Sequence, residues 1–206
     1  LYLSLIKLFL VGFDCPLVST NQGYDNAFTA KHGFNAKKQS ITLYYLLVRL
    51  SERLCDKSYT ISHGLRNFFL ATKMTDANKM DIIHYGFDLT DTTDALLDSN
   101  FKIFENQIII VGRLVKFKGH DYLLKALSKI SPKEEELRKE VERLNLNQSV
   151  YFVGYSREVT KWMYNSDLVI VPSISEGFGV VFLEAFNSKK AVVAWDVQAG
   201  NELMVH

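Results

Sequence analysis

Apolar positions fall into two periods that alternate along the chain. Within 39–56, Leu43, Leu46, Leu47, Leu50 and Leu54 recur at i, i+3, i+4, i+7 and i+11, the spacing of one helical stripe. Arg49, Glu52 and Arg53 fall mostly off it, as a solvated face would. Short strand-like runs flank this helix at 16–20, 58–61 and 81–84, each ended by polar or glycine-bearing turn residues. Ser62-His63-Gly64 opens a short helix through Phe69. The second half repeats the scheme. Residues 107–111, apolar from Ile108 to Val111, read as a strand of the buried parallel kind, and the next helix places Leu123, Leu124, Leu127 and Ile130 on one face. Pro132 opens a charged helix with Glu134, Glu135 and Glu136 in its first turn and Leu137, Val141 and Leu144 on its inner side. A strand at 150–153, a helix around Trp162 and Met163, a strand at 168–171 with its own helix, and a strand at 191–194 complete the series. Strands alternating with helices predict a parallel α/β architecture.

Composition narrows the class. A chain of 206 residues with 48% hydrophobic content can fill one large or two small domains. The polar, aperiodic stretch 89–104 reads as a linker between a first domain, 1–88, and a second, 105–206. A net charge of +1 from 24 basic and 23 acidic side chains leaves no footprint for a nucleic-acid partner. Cys15 and Cys55 make neither a metal-ligand set nor a disulfide scaffold, so they read as free thiols in a reducing, cytoplasmic setting. Residues 1–13 are apolar but interrupted by Lys7, too short to span a bilayer and without a small-residue cleavage site. A buried or membrane-facing helix is expected there.

The candidate chemistry lies at two strand ends. After 168–171 comes Pro172-Ser173-Ile174-Ser175-Glu176-Gly177-Phe178-Gly179, then a helix carrying Glu184. Open α/β sheets bind ligands beyond the carboxyl ends of their strands, where helix N-termini offer unpaired N–H groups, and Gly177 and Gly179 let the backbone come close. On one straight helix Glu176 and Glu184 would stand about 12 Å apart. The paired carboxylates of a glycoside hydrolase stand roughly 5–9.5 Å apart, so these two read instead either as a solvated loop Glu and a helix-surface Glu or as acceptors for sugar or ribose hydroxyls. After 107–111, Gly112-Arg113 and Lys118-Gly119 lack the order of an NTPase phosphate loop. A guanidinium fork and an ammonium beside backbone N–H groups can still neutralise a diphosphate without a metal. Cations for a diphosphate and carboxylates for hydroxyls together describe a nucleotide sugar.

These residues resemble a known family. Gly112-Arg113-Leu114, Lys118-Gly119-His120-Asp121-Tyr122-Leu123-Leu124, Val153-Gly154-Tyr155 and Pro172-Ser173 through Glu176-Gly177-Phe178-Gly179 to Glu184-Ala185 are similar to the donor-domain signatures of family-four (group 1) glycosyltransferases. Residues 56–62 and 82–88 look like the end of that family's N-terminal domain and its crossover. The resemblance implies a GT-B fold: a remnant of an N-terminal, acceptor-side Rossmann-like domain, then a Rossmann-like nucleotide-sugar-binding domain. It implies Arg113 and Lys118 on the diphosphate, with Gly112 beside them. It implies Glu176 as the catalytic contact to the donor sugar, the Gly177-Phe178-Gly179 backbone next to it, and Glu184 on the ribose. Such enzymes transfer a hexose with retention of configuration and no bound metal or cofactor. The implied partners are a nucleotide-sugar donor and a sugar or lipid-linked acceptor, with room for a peripheral contact at the inner face of the membrane.

The departures carry expectations too. Gln22 stands where the family often has His. The family's first strand is expected before Leu1 and its closing helices after His206. A strand ending in a Gly-x-Gly-Pro turn is missing between Pro132 and Lys133, which predicts unpaired sheet edges and a poorly filled core. Against the enzyme stands a catalytically silent chain that at most binds nucleotide or nucleotide sugar. A dinucleotide oxidoreductase would need a Gly-x-Gly-x-x-Gly turn, and none is present.

Overall fold

The structure, a computed structural model, describes residues 15–24, 43–88, 97–128 and 134–204. The expected N-terminal helix and most of the expected loop up to Lys38 lie outside them. The chain divides into two compact units, 1–86 and 87–206.

In the first unit, β1 (Val18–Asn21), β2 (Lys57–Thr60) and β3 (Met80–Ile82) form a parallel sheet in the order β1-β2-β3. Parallel neighbours need crossovers, and α1 (Leu43–Leu54) and α2 (His63–Ala71) supply them. Ser62 starts α2 by accepting from the Leu65 N–H at 3.1 Å, satisfying one of the orphan donors of the first turn. The core gathers on α2, β3 and the turn between them, where Leu65, Phe68, Phe69, Met74 and Met80 are buried. The Tyr24 ring packs on Phe68 at 5.0 Å.

Helix α1 forms where its periodicity predicts, but it turns the other face inward. Tyr45, Ser51 and Glu52 are buried, whereas Leu43 is 74% exposed and Leu46 and Leu50 also face outward. Hydrogen bonds account for the rotation. Glu52 accepts from Ser19 Oγ at 2.8 Å and Asn21 Nδ2 at 3.1 Å, and Tyr45 donates to the Thr72 carbonyl at 2.9 Å. A buried carboxylate without donors is costly, so Ser19 and Asn21 of β1 fix which side of α1 meets the sheet.

In the second unit, β4 (Ile108–Ile109), β5 (Leu168–Val171) and β6 (Ala191–Ala194) are parallel in the order β4-β5-β6. Helices α3 (His120–Ser128), α4 (Glu134–Arg143) and α5 (Val159–Tyr164) lie between β4 and β5 in the chain, α6 (Val180–Asn187) between β5 and β6, and α7 (Gln198–Leu203) after β6. The main core joins Met163, Val169, Val171, Phe182, Ala185 and Val197. A smaller one joins Leu124, Leu137 and Val141, with Val150 and Phe152 against it.

Residues 150–153 form no strand, and β4 is only two residues long. The side chains alternate as a strand's would: Phe152 packs inward while Tyr151 and Val153 are exposed. A strand also needs a neighbour for its N–H and C=O groups. The described residues between β4 and β5 contribute helices and no further strand, and Ile108 is 55% exposed. This is the unpaired edge that the missing segment predicts.

Residues 98–104, inside the expected linker, are docked on the second unit. Phe101 is buried, with its ring 5.0 Å from Trp162, and the Asp98 N–H donates to Asn165 Oδ1 at 3.2 Å. Buried Gln107 holds the segment: Oε1 accepts from the Ile103 N–H at 2.7 Å, and Nε2 donates to the Phe101 carbonyl at 2.9 Å and to Ser166 Oγ at 3.1 Å. Asp167 accepts from Lys102 Nζ and the Gln107 N–H, both at 2.7 Å, which hold its carboxyl below the usual range. Gln107→Leu would orphan several of these groups at about 1–3 kcal/mol each. We expect a fall of at least about 2 kcal/mol in urea unfolding of the chain; a change under about 0.5 kcal/mol would show that the docked segment adds nothing.

Candidate functional site

Strands β4 and β5 are parallel neighbours, in register as Ile108 with Leu168 and Ile109 with Val169. The loops that leave their carboxyl ends therefore emerge side by side, and these loops carry the expected site residues. After β4 the chain reaches Gly112 and Arg113, passes through a 3-10 turn, Lys116–Lys118, and ends it at Gly119 with φ 71°. That left-handed backbone suits glycine. Space requires it as well, since a Cβ there would fall 1.6 Å from the Pro172 carbonyl oxygen.

Three contacts join the two loops. Gly119 packs on Pro172, the Ile174 N–H donates to the Phe117 carbonyl at 2.8 Å, and Lys118 Nζ meets Glu176 Oε1 at 2.6 Å. The ion pair is well shielded, its side chains 15% and 9% exposed. Removing one partner of a buried pair costs about 3–5 kcal/mol, because the other charge stays behind uncompensated. The structure therefore brings Lys118 and Glu176 into direct contact.

Arg113 is exposed and makes no ion pair among the described residues. Its Cζ lies 5.7 Å from the Phe117 ring centroid, and Lys118 Nζ lies 5.9 Å from the same ring, both within reach of a cation–π attraction. Phe117 thus spaces the two cations. Phe117 is not among the residues expected from the sequence, where its position between Arg113 and Lys118 is the available signal. His120, whose Cε1 lies 3.9 Å from a Cβ built on Gly112, is held below its ordinary pKa by burial and then by the Lys118 charge. The imidazole adds no charge to the loop at neutral pH.

Beyond Glu176, Gly179 caps α6 with φ 83°, and a Cβ there would lie 2.6 Å from the Phe182 ring. No side chain caps the first turn of α6. Phe178 is buried, so only the backbone of Gly177-Phe178-Gly179 is presented. Glu184 is half-buried on α6, its carboxylate without a hydrogen-bond or ion-pair partner among the described residues, and burial raises its carboxyl pKa. Gln22 follows β1 in the first unit, exposed. Among the described residues no group of three or more His, Cys, Asp or Glu could hold a metal ion.

The chain is similar to known proteins. The family described as glycosyl transferases group 1 matches residues 105–206. An uncharacterised glycosyltransferase of Methanocaldococcus jannaschii is 28% identical over 71% of this chain and 44% of its own length. The N-acetylgalactosamine-N,N'-diacetylbacillosaminyl-diphospho-undecaprenol 4-alpha-N-acetylgalactosaminyltransferase of Campylobacter jejuni is 24% identical over 82% of this chain and 48% of its own. The chain thus spans about half the length of these relatives. Among solved structures, Anabaena HepE in complex with UDP and glucose superposes with a TM-score of 0.73 at 24% identity, covering 93% of this chain and 56% of that one. Sucrose-phosphate synthase of Thermosynechococcus elongatus gives 0.73 at 22% identity, covering 94% and 53%. These likenesses show a GT-B fold with Rossmann-like α/β units.

Glu184 gives a pH prediction. Its folded pKa lies above the ordinary 4.5 because burial penalises the charged form. The folded state therefore holds this proton more tightly, and the stability it contributes is full below 4.5 and is lost as pH rises through the raised value. Glu184→Gln should lack that loss and be the more stable chain at neutral pH. Urea unfolding across this range tests it; a parent chain that gains stability relative to E184Q as pH rises would contradict the burial account.

Proposed function

Because the chain, through residues 105–206, belongs to the group 1 glycosyl transferases, we propose that it serves transfer of a hexose from a nucleotide-sugar donor to an acceptor, with retention of configuration. The observation that carries the reading is the Lys118–Glu176 contact across adjacent strand ends, with Arg113 and Lys118 both against the Phe117 ring. Departure of a nucleoside diphosphate builds negative charge on the β-phosphate. Preorganised cations and N–H donors aimed at that charge lower the barrier. Arg113, free of carboxylates, and Lys118 supply the cations, with Gly112 beside them, and the uncapped first turn of α6 supplies N–H groups. Glu176 orients the donor sugar beside the Gly177-Phe178-Gly179 backbone, and Glu184 accepts from the ribose hydroxyls.

These side chains provide the charge that a metal would otherwise bring, so transfer is expected to continue in the presence of a chelator. The solved complexes of HepE contain UDP, UDP and glucose, or UDP-glucose, which supports a uridine donor as the first to test. The Campylobacter relative is named for a diphospho-undecaprenol acceptor, which supports a lipid-linked acceptor; our reading has it reached at the cytoplasmic face of a membrane. No described helix is long and apolar enough to cross one. The outer edge of β4, unpaired among the described residues, favours a second reading, a chain that binds nucleotide without transferring sugar.

Calorimetry with UDP, GDP and ADP, and product assay with the matching sugars, separate the readings. Arg113→Ala and Lys118→Ala should each weaken diphosphate binding by about tenfold or more, and Glu184→Ala should abolish the preference for UDP over its 2′-deoxy form. Glu176→Ala should lower transfer without weakening the diphosphate. Saturable binding with neither transfer nor donor hydrolysis would establish the silent reading, and unaltered turnover in Glu176→Ala would remove that residue from the sugar site.

A further inference from the structure

Lys118 and Glu176 cannot both keep their present contact and give all their capacity to a donor. We propose that Glu176 competes with the diphosphate for Lys118, which makes it the residue that sets how weakly the spent nucleotide is held. The inference rests on the donor-site reading above.

In the ligand-free chain the 2.6 Å contact leaves Lys118 electrically compensated. His120 is held neutral by burial and by the Lys118 charge. The uncompensated positive charge of the loop is then carried by Arg113 and Lys116, neither of which makes an ion pair among the described residues. A nucleotide sugar brings two phosphate charges, and its hydroxyls give Glu176 new donors when the carboxylate leaves Lys118. A free nucleoside diphosphate brings an additional charge on its terminal phosphate and no sugar hydroxyls. With the spent nucleotide in place, Glu176 has lost Lys118 and gained nothing in return. Its return to Lys118 therefore opposes the product more than the donor. The short reach between the loops, fixed by Gly119 on Pro172 and by the Ile174 to Phe117 hydrogen bond, keeps the carboxylate near enough to do this.

Glu176→Gln keeps a carbonyl oxygen for Lys118 and removes the charge. By calorimetry, UDP should bind E176Q about tenfold more tightly than the parent chain, and UDP-glucose should gain clearly less. Lys118→Gln should weaken UDP, and adding E176Q to it should restore nothing, since the competition acts through Lys118. Inorganic pyrophosphate, which has no base, should follow the UDP pattern. Melting curves establish that each variant is folded. A folded E176Q that binds UDP as the parent does, or more weakly, overturns the competition and makes Glu176 a support for Lys118. A full tenfold gain in the K118Q background also overturns it, as simple charge repulsion. If UDP, GDP, ADP and pyrophosphate bind none of these chains, the donor-site reading itself falls.

Discussion

The second unit is organised by one constraint: the loops after β4 and β5 are too close to be independent. The parallel ladder sets their origins side by side. Gly119 then has no room for a side chain against Pro172, and the Lys118 to Glu176 ion pair closes the contact. Arg113, Phe117, Lys118 and Glu176 become a single surface as a result. The pair is shielded enough that its disruption needs a replacement of similar chemistry. A diphosphate for the ammonium and hydroxyls for the carboxylate would together be such a replacement.

The support behind this surface is uneven. On the β5 side, Phe182 fills the core and touches the space a side chain would need at both Gly179 and Gly200, so it sets the seat of α6 and α7. Glu184 and the Gly177-Phe178-Gly179 backbone depend on that seat. On the β4 side the ladder is two residues long, and its outer neighbour among the described residues is missing. Buried Gln107 supplies some of what the sheet lacks, tying residues 101–104 to Ser166 by hydrogen bonds. Glu176 and Glu184 therefore stand on the better-packed half of the unit, and Arg113 and Lys118 on the other.

The alternation of strands and helices, and both site loops, were legible in the sequence because they rest on local signals: apolar period, turn residues and motif spacing. What could not be read depended on partners distant in the chain. Helix α1 was placed correctly but faced wrongly, because Glu52 finds donors on Ser19 and Asn21. Residues 150–153 have a strand's composition and lack a neighbour among the described residues. Residues 98–104 look like linker and are held by Gln107 and by Asn165. Arg113, Lys118 and Glu176 could be named one by one, yet the direct bond between Lys118 and Glu176 and the place of Phe117 between the cations are visible only in three dimensions.

The most direct test of the account is a crystal structure of this chain with UDP bound. The account predicts diphosphate oxygens on Lys118 Nζ and the Arg113 guanidinium, with the Glu176 carboxylate withdrawn from Lys118. UDP bound elsewhere on the chain, with the Lys118 to Glu176 contact intact and Arg113 unengaged, would contradict it.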